Sequence, residues 1–289
     1  MTLGPSELIL NPDHSIYHLN LLPEDIAQTI ITVGDPDRVS DVSQHFDHIE
    51  IKKGKREFVT HTGTISGKRL TVISTGIGTD NIDIVLNELD ALVNIDFEER
   101  KIKKDKISLD IVRVGTSGAI QPDIPVDSFL ISELAIGFDN LLHFYDSKHL
   151  QEVQMQEEFK KYTHWNIDKS TPYIVKCNQD LAGRLASDLT YTGFTATNVG
   201  FYGPQGRVLR LKTEDPALNG KLASFESKGR RITNLEMETS GIYGLSLLMG
   251  HRAVSMNCIL ANRSTGEFSR RPKQRVDELI AYTLDKLQE

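Results

Sequence analysis

The sequence is short of the residues that staple a protein covalently or seat it in a membrane. It holds two cysteines in 289 residues, Cys177 and Cys258. Two cannot make a disulfide framework, and neither sits in a Cys-x-x-Cys or Cys/His cluster, so a structural zinc site is not expected. Both read as buried apolar thiols of a reducing cytoplasm. No apolar run approaches the ~18 residues of a membrane-spanning helix. The opening segment, residues 1–15, lacks the basic start and apolar stretch of a signal peptide, so a cytoplasmic location is expected. Positive charge is also scarce: 33 Lys and Arg stand against 40 Asp and Glu, a formal net charge of −7. Nucleic-acid binding, which needs a basic face to displace counterions, is therefore not expected. Repeats and proline- or serine-rich linkers are missing too, so one domain over residues 1–289 is expected. The balance, 39% hydrophobic and 25% charged, suits a folded globular chain. A chain of about 300 residues buries roughly three quarters of its unfolded surface without staples.

What is present is an alternation of apolar strands, glycine turns and amphipathic helices. Residues 29–34 read as a buried strand ending in glycine. A helix over 36–45 follows, with Asp35 as N-cap and Pro36 at the first helical position. Residues 70–78 read as a strand ending in Gly76 and Gly78. The next helix starts near Asp80 and carries Ile82, Val85, Leu86, Leu89 and Leu92 at helical spacing. Asp80 is its expected cap, with Asp83 in the reciprocal position. Further strands are expected over 110–118, 127–137, 172–177, 191–201 and 252–260. A helix over 179–189, with Leu181, Leu185 and Leu189, separates the third and fourth of these. Residues 231–238 lead into a helix over 239–250, and a last helix spans about 273–288. The pattern predicts an α/β fold whose mostly parallel or mixed sheet is covered on both faces. The charged stretch 96–106 reads as a solvated loop or helix end.

Four segments carry chemistry. Gly34-Asp35-Pro36-Asp37-Arg38 places a strand-end glycine before a capped helix N-terminus, with a guanidinium one turn in. Such a turn can cradle phosphate, although a well-capped turn alone would explain it too. Arg113 lies near the end of its strand, before Gly115-Thr116-Ser117-Gly118, and open α/β sheets bind ligands at those ends. Arg113 with the hydroxyl and amide of Thr116 suits a tetrahedral oxyanion. Phe201-Tyr202 precede a Gly/Pro turn that projects Gln205 and Arg207. An amide that accepts and donates, beside a guanidinium that only donates, matches the carbonyl, N–H, carbonyl edge of uracil. Glu236-Met237-Glu238 stand at a strand–helix junction. A carboxylate there suits the vicinal hydroxyls of a ribose and methionine the face of the sugar. Gly76-Ile77-Gly78 lacks the remainder of a dinucleotide fingerprint, so a nicotinamide enzyme is set aside.

Taken in order, GDPDR (34–38), KREF (55–58), STGIG (74–78), RVGTSGAI (113–120), FYGPQGR (201–207) and EMET (236–239) resemble the nucleoside phosphorylases of the uridine phosphorylase/purine nucleoside phosphorylase superfamily. The resemblance runs over roughly residues 15 to 285. It implies a three-layer α/β/α fold with a central mixed, partly barrel-like sheet. It implies a phosphate site from Gly34, Arg38, Arg113 and Thr116, completed by Arg56 of a neighbouring subunit. His18 resembles the histidine that crosses the interface to the ribose 5′-hydroxyl. Met237 and Glu238 would hold the ribose, while Glu236 stands between a ligand and a structural role. Phe201, Gln205 and Arg207 resemble the base-binding trio of the uridine branch. Purine enzymes carry an aspartate near the end of the late strand, and Ala261-Asn262-Arg263-Ser264 offers none.

The implied reaction is reversible phosphorolysis of uridine, and of deoxyuridine or thymidine, in pyrimidine salvage. Arg38, Arg113, Arg207, Gln205 and Glu238 would carry it, with inorganic phosphate as co-substrate. No organic cofactor is implied. For a monovalent cation such as potassium, Glu57 matches the family's interface site, but Asn81 replaces the serine of some bacterial members. A homodimer with shared active sites is the expected minimum, and a hexamer is the other family assembly. The alternatives are a purine nucleoside phosphorylase, a hydrolytic nucleosidase of the same fold, or a non-catalytic nucleoside-binding oligomer.

Overall fold

In the computed structural model, which describes residues 2–289, the strand–turn–helix segments assemble on one large sheet. Met1, the first residue of the expected domain and of the opening segment considered above, lies outside the described residues. The chain runs β1 (Thr29–Val33), α1 (Pro36–Ser43), β2 (His48–Lys55), β3 (Phe58–Ile65), β4 (Lys68–Ser74) and α2 (Thr79–Asn94). A small hairpin follows, β5 (Ile95–Asp96) and β6 (Lys101–Ile102), then β7 (Asp110–Ala119), β8 (Phe129–Gly137) and α3 (Val153–Thr163). Next come β9 (Tyr173–Lys176), α4 (Gln179–Leu185), β10 (Thr190–Thr197), α5 (Leu218–Ser224), β11 (Glu226–Ser227) and β12 (Arg230–Glu236). The chain ends with α6 (Thr239–Met249), β13 (Arg252–Asn262), β14 (Glu267–Phe268) and α7 (Pro272–Gln288).

The sheet order is β11-β12-β10-β8-β13-β7-β1-β4-β3-β2. Antiparallel pairing of Asn234 with Ala119 and Leu235 with Gly118 brings β12 back to β7. That contact closes β12, β10, β8, β13 and β7 into a ring, while β1 to β4 extend from it as an open sheet. The mixed, partly barrel-like sheet expected above is thus observed. Parallel pairing aligns the C-terminal ends of β4, β1 and β7 with one another, and those of β10 and β12 with each other. The antiparallel contact of β12 with β7 joins the two groups at their C-terminal ends. Loops leaving those ends build the site.

Apolar burial explains the layers. Val39 and Val42 of α1, Leu181 and Leu185 of α4, and Leu279 and Leu284 of α7 pack on Val72, Val112 and Val254 of the sheet. Ile82, Leu86 and Leu89 of α2 and Ile242 and Tyr243 of α6 form the opposite core with Ile30, Ile73 and Ile111. Phe159 of α3 and Leu222 of α5 cover Phe194 and Ile232 near the β12 end.

Several boundaries differ from the sequence reading. The helix expected over 179–189 stops at Leu185, because Ala186 is extended and Thr190 closes a turn onto Ser187. Leu189 is consequently 68% exposed rather than on an apolar helix face. The strand expected over 70–78 ends at Ser74, and the N-cap of α2 is Gly78, not Asp80. Gly78 has φ +95°, a conformation open chiefly to glycine. Asp83 accepts from Tyr145 Oη and Asn87 instead of closing a capping box. The 96–106 stretch contains the β5–β6 hairpin, and Arg100 at its turn holds the N-terminal segment. Its Nε donates to Leu3 O at 2.9 Å, and Nη2 donates to Gly4 O at 2.9 Å and also to Leu8 O. The hairpin β2–β3 and helix α3 escape the periodicity reading. Strand β2, HIEIKKGK, has no buried residue, so neither of its faces carries a continuous apolar row.

Candidate active site

Val33, the last residue of β1, is buried, and the chain turns at Gly34 into α1, whose N-cap Asp35 accepts from Asp37 N as expected. From α1 the Arg38 side chain reaches Val114 of β7, donating to its carbonyl at 3.4 Å. Among the described residues, Arg38 pairs with no carboxylate. Burial and the neighbouring Arg113 charge both push its pKa down, so it is a cation poorly compensated by the protein.

A cleft of about 690 Å³ opens beside Arg38. Gly34, Arg38, Arg113 and Thr116 line it, as do Met237, Glu238, Phe201, Gln205 and Arg207. Segments as far apart as residues 34 and 238 therefore meet in one cavity. Its size is that of a small-molecule site.

Arg113 is buried within β7. Its Nη2 donates to Glu238 Oε2 at 2.6 Å and lies 3.3 Å from Glu236 Oε2. Nη1 donates to Asn257 Oδ1 at 3.0 Å and to Ser255 Oγ at 3.4 Å, both on β13. The side chain folds over Gly115, where any Cβ would collide with the guanidinium. Burial alone would lower the Arg113 pKa, but Glu236 and Glu238 outweigh it and raise it. The sequence reading gave Arg113 to an anion. In the structure both of its terminal nitrogens already serve protein acceptors, and holding Glu238 is its dominant contact.

The two glutamates differ. Glu236 Oε2 accepts from Glu238 N, Thr239 N and Thr239 Oγ1, and Oε1 accepts from Thr197 Oγ1. It satisfies the orphan donors at the start of α6, a structural role. Among the described residues, Glu238 Oε1 accepts only from Gly78 N, at 2.9 Å. Burial, followed by the Glu236 charge, raises the Glu238 pKa against the pull of Arg113. The carboxylates converge on one nitrogen instead of straddling a scissile bond, which speaks against a glycosidase-type acid/base pair.

The loop after β10 holds Gln205 buried and Arg207 part-buried. Arg207 Nη1 donates to Gln205 Oε1 at 2.6 Å and to Phe201 O at 2.7 Å, and the guanidinium lies 3.8 Å from the Phe201 ring centroid. One ring face and one lone pair of the amide are thus used within the trio. The second lone pair and the Nε2 hydrogens of Gln205 remain, with further Arg207 N–H groups. Arg263 and Asn219 brace this loop. Arg263 Nη1 and Asn219 Nδ2 both donate to Gln205 O, at 3.1 and 3.0 Å. Neither was singled out for a function from sequence, because a brace to a backbone carbonyl 58 residues away has no local signal.

His18 and Arg56 do not line the cleft. Arg56 is exposed at the β2–β3 turn with φ +58°. His18 is held against α2 by Glu88. Glu57 and Asn81, the two cation-site positions considered above, do line it, both close to Gly76. Cys177 and Cys258 are buried and unbridged, and burial pushes each thiol up to about 12, which removes them as nucleophiles. No described helix is long and apolar enough to cross a membrane.

Comparison with known proteins matches this architecture. A family described as the phosphorylase superfamily matches residues 28–285. A uridine phosphorylase of Thermococcus kodakarensis is 30% identical over 260 residues, covering 88% of this chain and 80% of that protein. A uridine phosphorylase of Escherichia coli K12 is 28% identical over 262 residues, covering 87% and 88%. A solved Trypanosoma brucei nucleoside phosphorylase, reported to show uridine phosphorylase activity, superposes with a TM-score of 0.84 at 29% identity, over 96% of this chain and 99% of that one. With both the matched family and these relatives extending along most of its length, the chain belongs to the phosphorylase superfamily and is an enzyme of that family.

Proposed function

We propose that the enzyme catalyses reversible phosphorolysis of uridine, giving uracil and ribose 1-phosphate, as a cytoplasmic salvage activity. The observation that carries this reading is the single cleft that gathers a guanidinium paired with no carboxylate among the described residues (Arg38), a buried carboxylate (Glu238) and a donor-rich amide–guanidinium pair (Gln205 and Arg207).

In this reading Arg38, the Gly34 turn and Thr116 hold phosphate, and Arg56 of a second copy completes the cradle. Arg113 adds its charge while fixing Glu238. Glu238 accepts from the ribose hydroxyls, and Met237 packs on the sugar. The C1′–N1 bond breaks as a phosphate oxygen bonds to C1′. The electron pair of the broken bond stays on the base, and Gln205 and Arg207 stabilise the uracil anion as it develops. Positioning two reactants in one cavity lowers the entropic barrier. No protein nucleophile and no organic cofactor takes part. Since His18 and Arg56 lie outside the cleft of their own chain, a homodimer is the smallest working unit.

Uracil release from uridine, followed with and without added inorganic phosphate and beside hypoxanthine release from inosine, tests the reading. Phosphate-dependent uracil release is expected. Release by water alone would make the enzyme a nucleosidase, and preferential hypoxanthine release would move it to the purine branch. A pH profile adds a second check. Ribose binding needs the ionised Glu238, whose pKa is raised by burial, so kcat/KM falls as pH drops through a value above the ~4.3 of an ordinary glutamate. Glu238→Gln is expected to be slow and to lose that acid limb; an unchanged limb would assign it to another group.

A further inference from the structure

The N-terminal segment carries a site residue, His18, that lies outside the cleft of its own chain. His18 Nδ1 lies 2.6 Å from Glu88 Oε1. His18 N donates to both Glu88 oxygens at 3.0 Å, and Leu19 N donates to Oε2 at 2.8 Å. One carboxylate, nearly buried on α2, thus holds the ring and two successive backbone amides. The flanks are pinned as well. Lys55 Nζ donates to Tyr17 O at 2.6 Å and sits over the Tyr17 ring, which packs edge-on against the His18 ring.

We propose that Glu88 is a positioning residue that presents His18 to the nucleoside bound by a second copy of the chain. This rests on the phosphorolysis reading above. A carboxylate can only accept, so the hydrogen of the imidazole sits on Nδ1. Nε2 has no protein partner among the described residues, and with the side chain 27% exposed its lone pair is left free. In that tautomer His18 accepts the hydrogen bond of a sugar hydroxyl. The two backbone bonds keep the ring from swinging back over its own chain. Because α2 also leads to Gly78, which donates to Glu238, the same helix steadies the ribose contact of its own cleft and the histidine lent to the neighbouring one.

The test compares uridine with 5′-deoxyuridine, which lacks the hydroxyl His18 would meet, in wild type, Glu88→Gln, His18→Ala and the double variant. For Glu88→Gln, a loss of about tenfold in kcat/KM with uridine is expected, the size of one well-oriented hydrogen bond, and under about threefold with 5′-deoxyuridine. The double variant is expected to be no slower than His18→Ala alone, because Glu88 acts through His18. The 5′-deoxyuridine rate also reports that each variant is folded. An equal loss on both substrates, additive losses in the double variant, or no loss on either would overturn the proposal. A wild-type enzyme that turns over 5′-deoxyuridine as fast as uridine would overturn it as well. Wild type that releases no uracil in the presence of phosphate overturns the parent reading, and this proposal with it.

Discussion

Arg113→Ala is expected to lose both activity and stability, and by more than any other single change in the cleft. The side chain is buried, and removing it strands Glu238 and Glu236 next to each other without a counter-charge. Breaking a buried ion pair from one side costs about 3–5 kcal/mol, because the remaining charge has neither water nor partner. Asn257 Oδ1 loses its donor in the same step. Catalysis fails for a linked reason: Glu238 takes up a proton or turns away, and the charge beside the nucleophile is gone. A drop of about 10³-fold in kcat/KM is expected, comparable to deleting a preorganised electrostatic group. Denaturant unfolding and uridine turnover measured on one preparation check both effects. A variant with the wild-type unfolding midpoint would show that the two carboxylates find other partners, and the picture of Arg113 as their anchor would be wrong. Glu238→Gln separates the effects, since it keeps the side-chain shape, removes only the Glu238 charge and leaves Arg113 paired with Glu236.

Arg207→Ala is expected to behave differently. The residue is part-buried, and its partners are Phe201 O and the Gln205 amide within its own loop. Among the described residues, no buried carboxylate depends on it. Stability is expected to stay within about 0.5 kcal/mol of wild type, as for other substitutions outside the core. Uridine turnover is expected to fall by about 10²- to 10³-fold, since the donor that meets the charge of the departing base is gone. Arg207→Lys is expected to recover little. An ammonium cannot lie flat on the Phe201 ring while bonding both the amide and a base carbonyl. Normal turnover in Arg207→Ala would remove the loop from the base site. A collapse of stability would instead make Arg207 a structural prop, a task the contacts assign to Arg263 and Asn219.

The two variants illustrate which parts of the molecule can be read along the chain. The N-cap of α1, the strand ending at Gly34, the apolar stripe of α2 and the C-terminal helix all follow from interactions within a few residues. Asp35 to Asp37, or Ile82 to Leu86 to Leu89, are spacings that sequence displays directly. Where local signals compete, the reading slips. Leu189 continues a helical spacing on paper, but the turn closed by Thr190 ends α4 first. Strand β2 gains its place from pairing with β3, not from an apolar face.

The sequence by itself determined the strand–helix alternation and the glycine turns at strand ends, because these depend on backbone preferences and near neighbours, and it displayed the motifs whose side chains the fold gathers at the cleft. Only the tertiary structure decided that β12 returns to β7 and closes the ring, that Arg113 is spent largely on Glu238 and Asn257, that Arg263 braces Gln205, and that Glu88 grips His18. Each of those contacts joins residues more than fifty positions apart. Their existence depends on how the packed layers bring remote strands together, and no local propensity encodes that.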